Sequence, residues 1–209
     1  MNEVKVLVAC ECSQVVCSAF RRKGIKAYSC DLEPSYGGHP EWHIMCDALV
    51  VIKGCGVFPL ENGKSVRIKG RWNMIIAHPP CTNLTHSSAV ALSQGKHTIE
   101  DVMNGAWFFR QILNAPTDLL AIENPAPMAI AELPRYNQTI QPYDFGHKYS
   151  KRVCLWLKGL PPLLPTHARV LNHVPWLGHC SNRSKRRSKT FEGIAEAMAE
   201  QWIKYLKHT

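Results

Sequence analysis

A cysteine lies on a stiff turn at the end of a predicted buried strand. The strand is the apolar run Met74–Ala77, and Pro79, Pro80 and Cys81 follow it after a single histidine. Because each proline fixes φ and lacks an amide proton, the pair ends the strand and stiffens the turn. A thiolate held in this way can act as a nucleophile. The alternative is that Cys81 packs in the interior, as many unpaired cysteines do.

A carboxylate follows a second predicted buried strand. Residues 119–122 are apolar and lead directly into Glu123 and Asn124. If the two strands are parallel neighbours, the thiol and the carboxylate leave the sheet at the same edge, where open α/β sheets bind ligands. The alternative for Glu123 is that it caps the next turn.

These two segments resemble motifs of the DNA cytosine-5 methyltransferases, and especially of the short, phage-type members. Residues 78–81 are similar to the nucleophile loop of that family, and residues 123–125 are similar to its Glu-Asn-Val loop, with proline in place of valine. The resemblance implies that Cys81 adds to C6 of cytosine. It also implies that Glu123 contacts ring N3 and that burial keeps this carboxyl group partly protonated. Pro80 and Asn124 would complete the catalytic loops.

The same resemblance implies that the protein binds S-adenosylmethionine near its N-terminus. The loop after the predicted strand at residues 4–9 stands where the family usually has Phe-x-Gly-x-Gly. Glycines at these positions let the backbone approach a ligand, and this chain lacks them. The loop is expected to contact the donor all the same, through Cys10, Glu11, Cys12 and Ser13, with Pro79 bordering the donor from the catalytic side.

Acidic residues complete the predicted donor site. Asp31 follows a second predicted strand at residues 26–30 and fits the acid that binds ribose hydroxyls in such folds, with Glu33 as the alternative and Leu32 beside it. Asp47 and Ala48 resemble the family segment near the amino group of adenine. Taken singly, such acids are more often surface charges than ligands.

The order of elements predicts one α/β domain over residues 1–209, with the Rossmann-like methyltransferase fold and a mostly parallel sheet. Ser13 is expected to cap a first helix that stops at Gly24. An Asn-Gly pair at residues 62–63 predicts a small hairpin between residues 57–58 and 66–68. Residues 140–157 predict paired strands with Gly146 at the turn. Residues 190–207 predict a last helix that packs back on the core.

A capping-box sequence at residues 98–101 opens the long helix between the two catalytic strands. Helical spacing predicts that its buried side consists of Ile99, Val102, Met103, Ala106, Phe109 and Leu113.

Composition narrows the class of protein. The chain has 209 residues, 45% of them hydrophobic, and no apolar run approaches the roughly 20 residues of a membrane span. The N-terminus lacks the apolar core of a signal peptide, and nine cysteines is an odd count, so the sequence favours reduced thiols in the cytoplasm. Two groups of potential ligands, residues 10, 12 and 17 and residues 39, 43 and 46, lack the paired spacing of a structural zinc site, so no metal is predicted.

The net charge of +9 is unevenly distributed. Five cations stand within seven residues, namely Arg183, Lys185, Arg186, Arg187 and Lys189. Such a run suits a DNA phosphate backbone, and the alternative is a solvated basic loop. Lys148, Lys151 and Arg152 resemble a basic loop of the family and are expected to contact DNA as well. Residues 158–189 would form a reduced target-recognition segment, and a protein partner could assist target choice.

Two other functions stay open at this level. The missing glycines favour a nucleic-acid-binding protein that has the methyltransferase fold but no activity. An RNA or free-nucleotide cytosine methyltransferase is the second alternative, and the basic run argues against a mononucleotide substrate.

The basic run generates the first prediction. Replacing its five cations with glutamine should weaken binding to all DNA sequences alike, because phosphate contacts position a protein while base contacts specify the sequence. Each lost phosphate contact should lower the slope of log affinity against log salt by about 0.9. Fluorescence anisotropy at several salt concentrations measures that slope. An unchanged slope would show that these cations do not touch DNA.

Overall fold

The computed structural model describes residues 4–168, 173–176 and 189–208. Eleven strands are present in these ranges. They are β1 (Lys5–Ala9), β2 (Lys26–Asp31), β3 (His43–Met45), β4 (Gly56–Pro59), β5 (Ser65–Ile68), β6 (Met74–Ala77), β7 (Leu120–Asn124), β8 (Gln138–Ile140), β9 (Tyr149–Ser150), β10 (Val153–Lys158) and β11 (Val174–Pro175). The α-helices of the same ranges are α1 (Val15–Arg22), α2 (Ala48–Val51), α3 (Ala89–Ser93), α4 (Ile99–Leu113) and α5 (Glu192–Trp202).

Seven strands form the central sheet in the order β3-β2-β1-β6-β7-β10-β8. The first five strands of that order pair in parallel. Strand β10 pairs antiparallel with both of its neighbours, so it alone runs against the others. This mixed α/β sheet is the Rossmann-like methyltransferase fold, and the predicted fold class is confirmed. The chain moves outward from β1 to β3 and then returns to β6, so the topological switch point lies between β1 and β6.

Both faces of the sheet are covered, which explains why its strands are apolar throughout. In β1, Val6 and Val8 point to one layer, together with apolar side chains of α1 and α5. Leu7 and Ala9 point to the opposite layer, which contains side chains of α2 and α4. The predicted hairpin is confirmed as the antiparallel pair β4–β5, which packs on the second layer through Phe58.

Helix α1 begins differently from the prediction. Gln14 is the N-cap residue, in a left-handed conformation with φ of 58°, so Ser13 is not the predicted N-cap, although its hydroxyl accepts a hydrogen bond from the amide of Val15 at 3.5 Å. The carboxylate of Glu11 accepts hydrogen bonds from the backbone amides of Val16 at 2.8 Å and Cys17 at 3.2 Å. These amides are donors that an N-cap side chain would otherwise satisfy. The helix ends before Gly24, as predicted.

Helix α4 has the predicted capping box, with reciprocal hydrogen bonds between Thr98 and Asp101. The prediction for its buried face is only partly right. Val102, Ala106, Phe109 and Ile112 are buried, but Ile99 is 56% exposed and Met103 is 40% exposed. Together with Trp107, which is 55% exposed, these two residues follow an i, i+4, i+8 stripe that faces away from the sheet.

The C-terminal part returns to the core. Strands β8 and β10 pair antiparallel, as predicted, but Gly146 follows a 3-10 turn at Pro142–Phe145 instead of forming a hairpin turn. Helix α5 buries Ile194, Met198 and Trp202 against the α1 side of the sheet. Gly193 is required there, because a Cβ atom would lie 1.9 Å from the carbonyl oxygen of Phe145. Across the described ranges, every helix is too short or too polar to cross a membrane.

Candidate active site

The segments singled out from the sequence leave the sheet at one edge. They follow the carboxyl ends of five parallel strands: residues 10–13 after β1, Asp31 and Leu32 at the end of β2, Asp47 after β3, residues 78–81 after β6, and Glu123 and Asn124 at the end of β7. The loops after β1 and β6 flank the switch point. Open α/β sheets bind ligands in the crevice at this position.

A buried ion pair joins the carboxyl ends of β6 and β7. Nδ1 of His78 lies 2.8 Å from Oε2 of Glu123, and the two side chains are 9% and 10% exposed. Because β6 and β7 are parallel and Ala77 lies opposite Ile122, the next residue of each strand points to the same face. His78 was not singled out from the sequence as a functional residue. His78 follows Ala77 directly, just as Glu123 follows Ile122, the residue that pairs with Ala77. This matching position is the signal that could have identified His78.

The pair determines where its proton lies. Burial raises the pKa of Glu123, but the hydrogen bond with His78 and the charge of Lys151 outweigh burial, so the pKa is below its usual value. Burial lowers the pKa of His78, but the hydrogen bond and the charges of Glu123 and Glu11 outweigh it, so the pKa is raised. Both directions favour an imidazolium paired with a carboxylate. The expectation that burial raises the pKa of Glu123 and keeps it partly protonated is contradicted, because the hydrogen bond with His78 lowers that pKa.

Hydrogen bonds brace the loop that carries Cys81. Nδ2 of Asn124 donates to the carbonyl oxygen of Pro79 at 2.8 Å, which ties the end of β7 to the turn after β6. The amide of Leu84 donates to the carbonyl oxygen of Cys81 at 3.0 Å, and the amide of Met128 donates to that of Leu84 at 2.7 Å. Pro79 is buried, Pro80 is exposed and Cys81 is half-buried. Cys81 is therefore partly exposed and lies on a loop that is fixed by several hydrogen bonds.

Two polar atoms near Cys81 lack partners. In the described part of the chain, the buried side-chain nitrogen and oxygen atoms without a hydrogen bond are Nε2 of His78 and Oδ1 of Asn83. A buried polar group without a partner costs about 1–3 kcal/mol. Both atoms lie within three residues of Cys81 in the sequence. A ligand with complementary polar groups would compensate this cost at the same loop.

The predicted donor loop achieves its turns without glycine. Cys10 and Gln14 have φ of 59° and 58°, a conformation that costs a residue with a Cβ atom about 1–2 kcal/mol. The side chain of Gln14 compensates through hydrogen bonds with the backbone of His39, at 2.8 Å from Nε2 to the carbonyl and 3.0 Å from the amide to Oε1. Tyr36 donates its amide to the carbonyl oxygen of Cys12 at 2.9 Å. Residues 36–39 are thus fastened to the loop after β1.

The predicted donor residues come together around Cys10 and Cys12. Burial raises the pKa of the Cys10 thiol, and the charges of Asp31 and Asp47 raise it further. Burial also raises the pKa of Cys12 to about 12, with a further contribution from Asp31. These thiols therefore stay protonated at neutral pH.

The acids of this region have local structural roles as well. Asp31 accepts the amide of Glu33 at 3.1 Å, and Asp47 caps α2 by accepting the amide of Leu49 at 2.8 Å. Leu32 is 71% exposed, whereas Ala48 is buried at the start of α2. The Glu11 carboxylate is already engaged with Ser13 and the first amides of α1. That these residues bind a donor stays a prediction.

The predicted DNA contacts are only partly described. The charge of Lys151 acts on both members of the buried pair. Lys148 is exposed, and Arg152 donates to the hydroxyl of Tyr136 at 2.5 Å. Lys189 lies 3.8 Å from Glu192. The other four cations of the basic run, residues 183 and 185–187, lie outside the described residues, and DNA binding stays a prediction for the whole set.

Within the described ranges, no group of three or more His, Cys, Asp or Glu side chains could hold a metal ion. The two sequence groups considered for zinc therefore do not form such a cluster there.

Comparisons with known proteins do not assign the chain to a family. No protein-family model matches the chain, and no curated protein matches it. Among solved structures, the Entamoeba histolytica methyltransferase EhMeth is similar with a TM-score of 0.42 and 13% sequence identity. The similarity covers 81% of this chain and 58% of that one, so the chain spans little more than half the length of that structure.

The buried pair predicts a pH-dependent stability. The contribution of His78, whose pKa is raised, is present below its unfolded value of about 6.5 and is lost as pH rises through the folded value. The contribution of Glu123, whose pKa is lowered, is present above about 4.3 and is lost as pH falls through the folded value. Glu123→Gln should therefore lower the free energy of unfolding most near pH 5.5, by about 3 kcal/mol, and less at pH 9.

Urea denaturation of both proteins at the two pH values measures this difference. Glu196→Gln is the matched control, because it removes an exposed carboxylate that pairs with Arg22 and should cost under about 1 kcal/mol. An equal loss for Glu123→Gln at pH 5.5 and pH 9 would contradict an ionised pair.

Proposed function

We propose that the protein transfers a methyl group from S-adenosylmethionine to C5 of cytosine in DNA through a covalent bond to Cys81. The observation that supports this proposal is the pairing of the loops after β6 and β7, beside the switch point. The first carries the half-buried Cys81, and the second carries the buried carboxylate of Glu123, with the Asn124–Pro79 hydrogen bond between them. A base that occupies this crevice would meet both groups at once.

Cys81 and Glu123 have different roles in the proposed reaction. The Cys81 thiolate adds to C6 of the ring, so the S–C6 bond forms, the C5=C6 double bond shifts to C4 and C5, and N3 gains a proton. This addition turns C5 into a nucleophile. Glu123 binds N3 and stabilises the charge that develops on the ring. When C5 takes the methyl group, the donor would leave as the neutral thioether. Solvent then takes the C5 proton, the S–C6 bond breaks with its electron pair returning to Cys81, and N3 gives up its proton, which restores the aromatic ring.

The residues at the ends of β1, β2 and β3 fit the proposed donor. S-adenosylmethionine supplies an electrophilic methyl group on a sulfonium centre. The carboxylates of Asp31 and Asp47 could accept hydrogen bonds from its hydroxyl and amino groups, and the exposed side chain of Leu32 offers apolar surface beside them. The acidic surroundings that raise the pKa of Cys10 also favour a ligand that carries a positive charge.

A DNA substrate requires base flipping, because the reactive edge of a stacked cytosine cannot reach Cys81. The charge of Lys151 lowers the pKa of Glu123. We propose that Lys151 contacts the phosphate of the flipped nucleotide or the phosphate of an adjacent nucleotide. Lys148, Arg152 and the basic run at residues 183–189 would hold the backbone further away. With so short a recognition segment, a short or loose target sequence is expected unless a protein partner contributes.

One set of observations favours a second candidate function, a nucleic-acid-binding protein without activity. The loop after β1 has no glycine, and Cys10 and Gln14 adopt strained backbone conformations. Glu11 is already engaged in capping α1. If these features close the donor site, the fold would bind DNA or RNA only. Donor binding separates the two functions.

The nucleophile generates the central prediction. DNA with 5-fluorocytosine at the target should form a stable covalent adduct with the wild-type protein and donor, because fluorine cannot leave C5 as a proton does. Cys81→Ser should form none, while Cys55→Ser, which changes an exposed cysteine, should react like wild type. Denaturing electrophoresis and mass spectrometry detect the adduct. An equal adduct in Cys81→Ser would remove Cys81 from the mechanism, and methylated nucleosides formed on RNA alone would change the substrate class.

Donor binding generates a further prediction. Isothermal titration of the protein with S-adenosylmethionine should show one site, weakened roughly 10- to 100-fold in Asp31→Ala, because hydrogen bonds to a charged acceptor contribute about 1.5–3 kcal/mol. Asp118→Ala is the matched control, since Asp118 is exposed just before β7 at the opposite edge of the sheet. Absence of binding in wild type, with and without DNA, would favour the inactive candidate.

A further inference from the structure

We propose that His78 is a positioning residue that stores the proton which Glu123 presents to N3 of the cytosine ring, a role that rests on the proposed function. His78 lies three residues before Cys81, at the start of the turn after β6. The register of β6 and β7 brings its side chain next to Glu123. The Nδ1–Oε2 distance of 2.8 Å is that of a strong, charge-assisted hydrogen bond.

The chemistry requires such a store. When the S–C6 bond forms, an electron pair shifts to N3, and N3 must gain a proton. An ionised Glu123 has none to give. In the proposed step, Nδ1 of His78 loses one proton to the carboxyl group of Glu123, and that group gives one proton to N3. His78 becomes neutral, Glu123 has no net change, and the proton returns by the same route when the S–C6 bond breaks.

The charged groups around the pair suit this role. Glu11 approaches from the loop after β1, and Lys151 approaches from the segment between β9 and β10. Glu11 favours the imidazolium through its charge, and its oxygens accept hydrogen bonds from Ser13 and from the amides of Val16 and Cys17. Burial raises the pKa of Glu11, and the charge of His78 and these hydrogen bonds only partly offset that effect. Lys151 favours the ionised form of Glu123.

A second histidine of the same sheet shows what a purely structural role looks like. His43 is buried, and both of its ring nitrogens have partners: Ser29 Oγ at 2.9 Å from Nδ1 and the carbonyl oxygen of Glu33 at 2.9 Å from Nε2. In His78, Nδ1 is paired and Nε2 is buried without a partner. The fold thus leaves Nε2 of His78 without a hydrogen-bond partner next to the turn at residues 79–81. A bound nucleotide could supply that hydrogen bond.

The test is the pH profile of single-turnover methyl transfer for the wild type and His78→Asn. Asparagine keeps an N–H donor near the Nδ1 position but cannot carry an exchangeable positive charge. The wild-type rate should hold through neutral pH and fall as pH rises through the raised pKa of His78. In His78→Asn the proton must reside on Glu123 itself, so the fall should begin at lower pH, and the rate at pH 8 should drop about 10²-fold. His167→Asn, which changes an exposed histidine, should keep the wild-type profile.

A spectroscopic measurement locates the proton without activity. Titration of the wild type labelled with 15N-histidine should show His78, assigned by its loss in His78→Asn, as an imidazolium at neutral pH. Glu123→Gln should lower its pKa, because the carboxylate no longer favours the charged form. A neutral His78 at pH 7 in the wild type would overturn the proposal, and if His78→Asn failed to fold, the shift of the same signal in Glu123→Gln would assign it.

The outcomes separate this role from the proposed function. If the wild type transfers methyl groups to DNA and the pH profiles of wild type and His78→Asn coincide, the role of His78 is overturned and the proposed function stands. If the wild type transfers none, the proposed function fails, and the role of His78 fails with it.

Discussion

The ion pair between His78 and Glu123 is the interaction on which the candidate site depends. Two buried charges are stable only if each compensates the lost hydration of the other, so the pair fixes both side chains in one arrangement. It exists because β6 and β7 are parallel neighbours in a register that puts Ala77 beside Ile122. The same register brings Asn124 to the carbonyl of Pro79, and through it the turn that carries Cys81 is held in place.

The loop after β1 follows a different constraint. A loop that turns sharply after β1 normally relies on glycine, but here Cys10 and Gln14 take left-handed conformations. Gln14 offsets the strain with side-chain hydrogen bonds to His39, and Glu11 satisfies the first amides of α1 from within the turn. Hydrogen bonds of the Gln14 and Glu11 side chains therefore stabilise the turns of a loop that has no glycine. The same hydrogen bonds engage side-chain atoms that could otherwise contact a ligand.

Most of the fold could be predicted from sequence, because it depends on local patterns. Apolar runs predicted β1, β2, β6 and β7, and the Thr98 capping box predicted the start of α4. The prediction that Ile99 and Met103 are buried was wrong. Helical spacing shows which residues of α4 share a face but not which face packs against the sheet. The protonation of Glu123 was also wrong, because it depends on a histidine 45 residues earlier in the chain. Burial alone predicts one direction, and the partner across the strand reverses it.

The charge distribution also affects the thiols around the loop after β1. Cys10, Cys12, Cys17 and Cys30 all have raised pKa values, first from burial and then from carboxylates or neighbouring thiols. A protonated thiol is a poor nucleophile. Burial and these charges thus disfavour the thiolate form of all four cysteines. Cys81 lies beyond His78, on the side of the crevice where Lys151 and an imidazolium balance Glu123. The acidic groups thus lie at the ends of β1, β2 and β3, whereas the buried pair of opposite charges lies at the ends of β6 and β7.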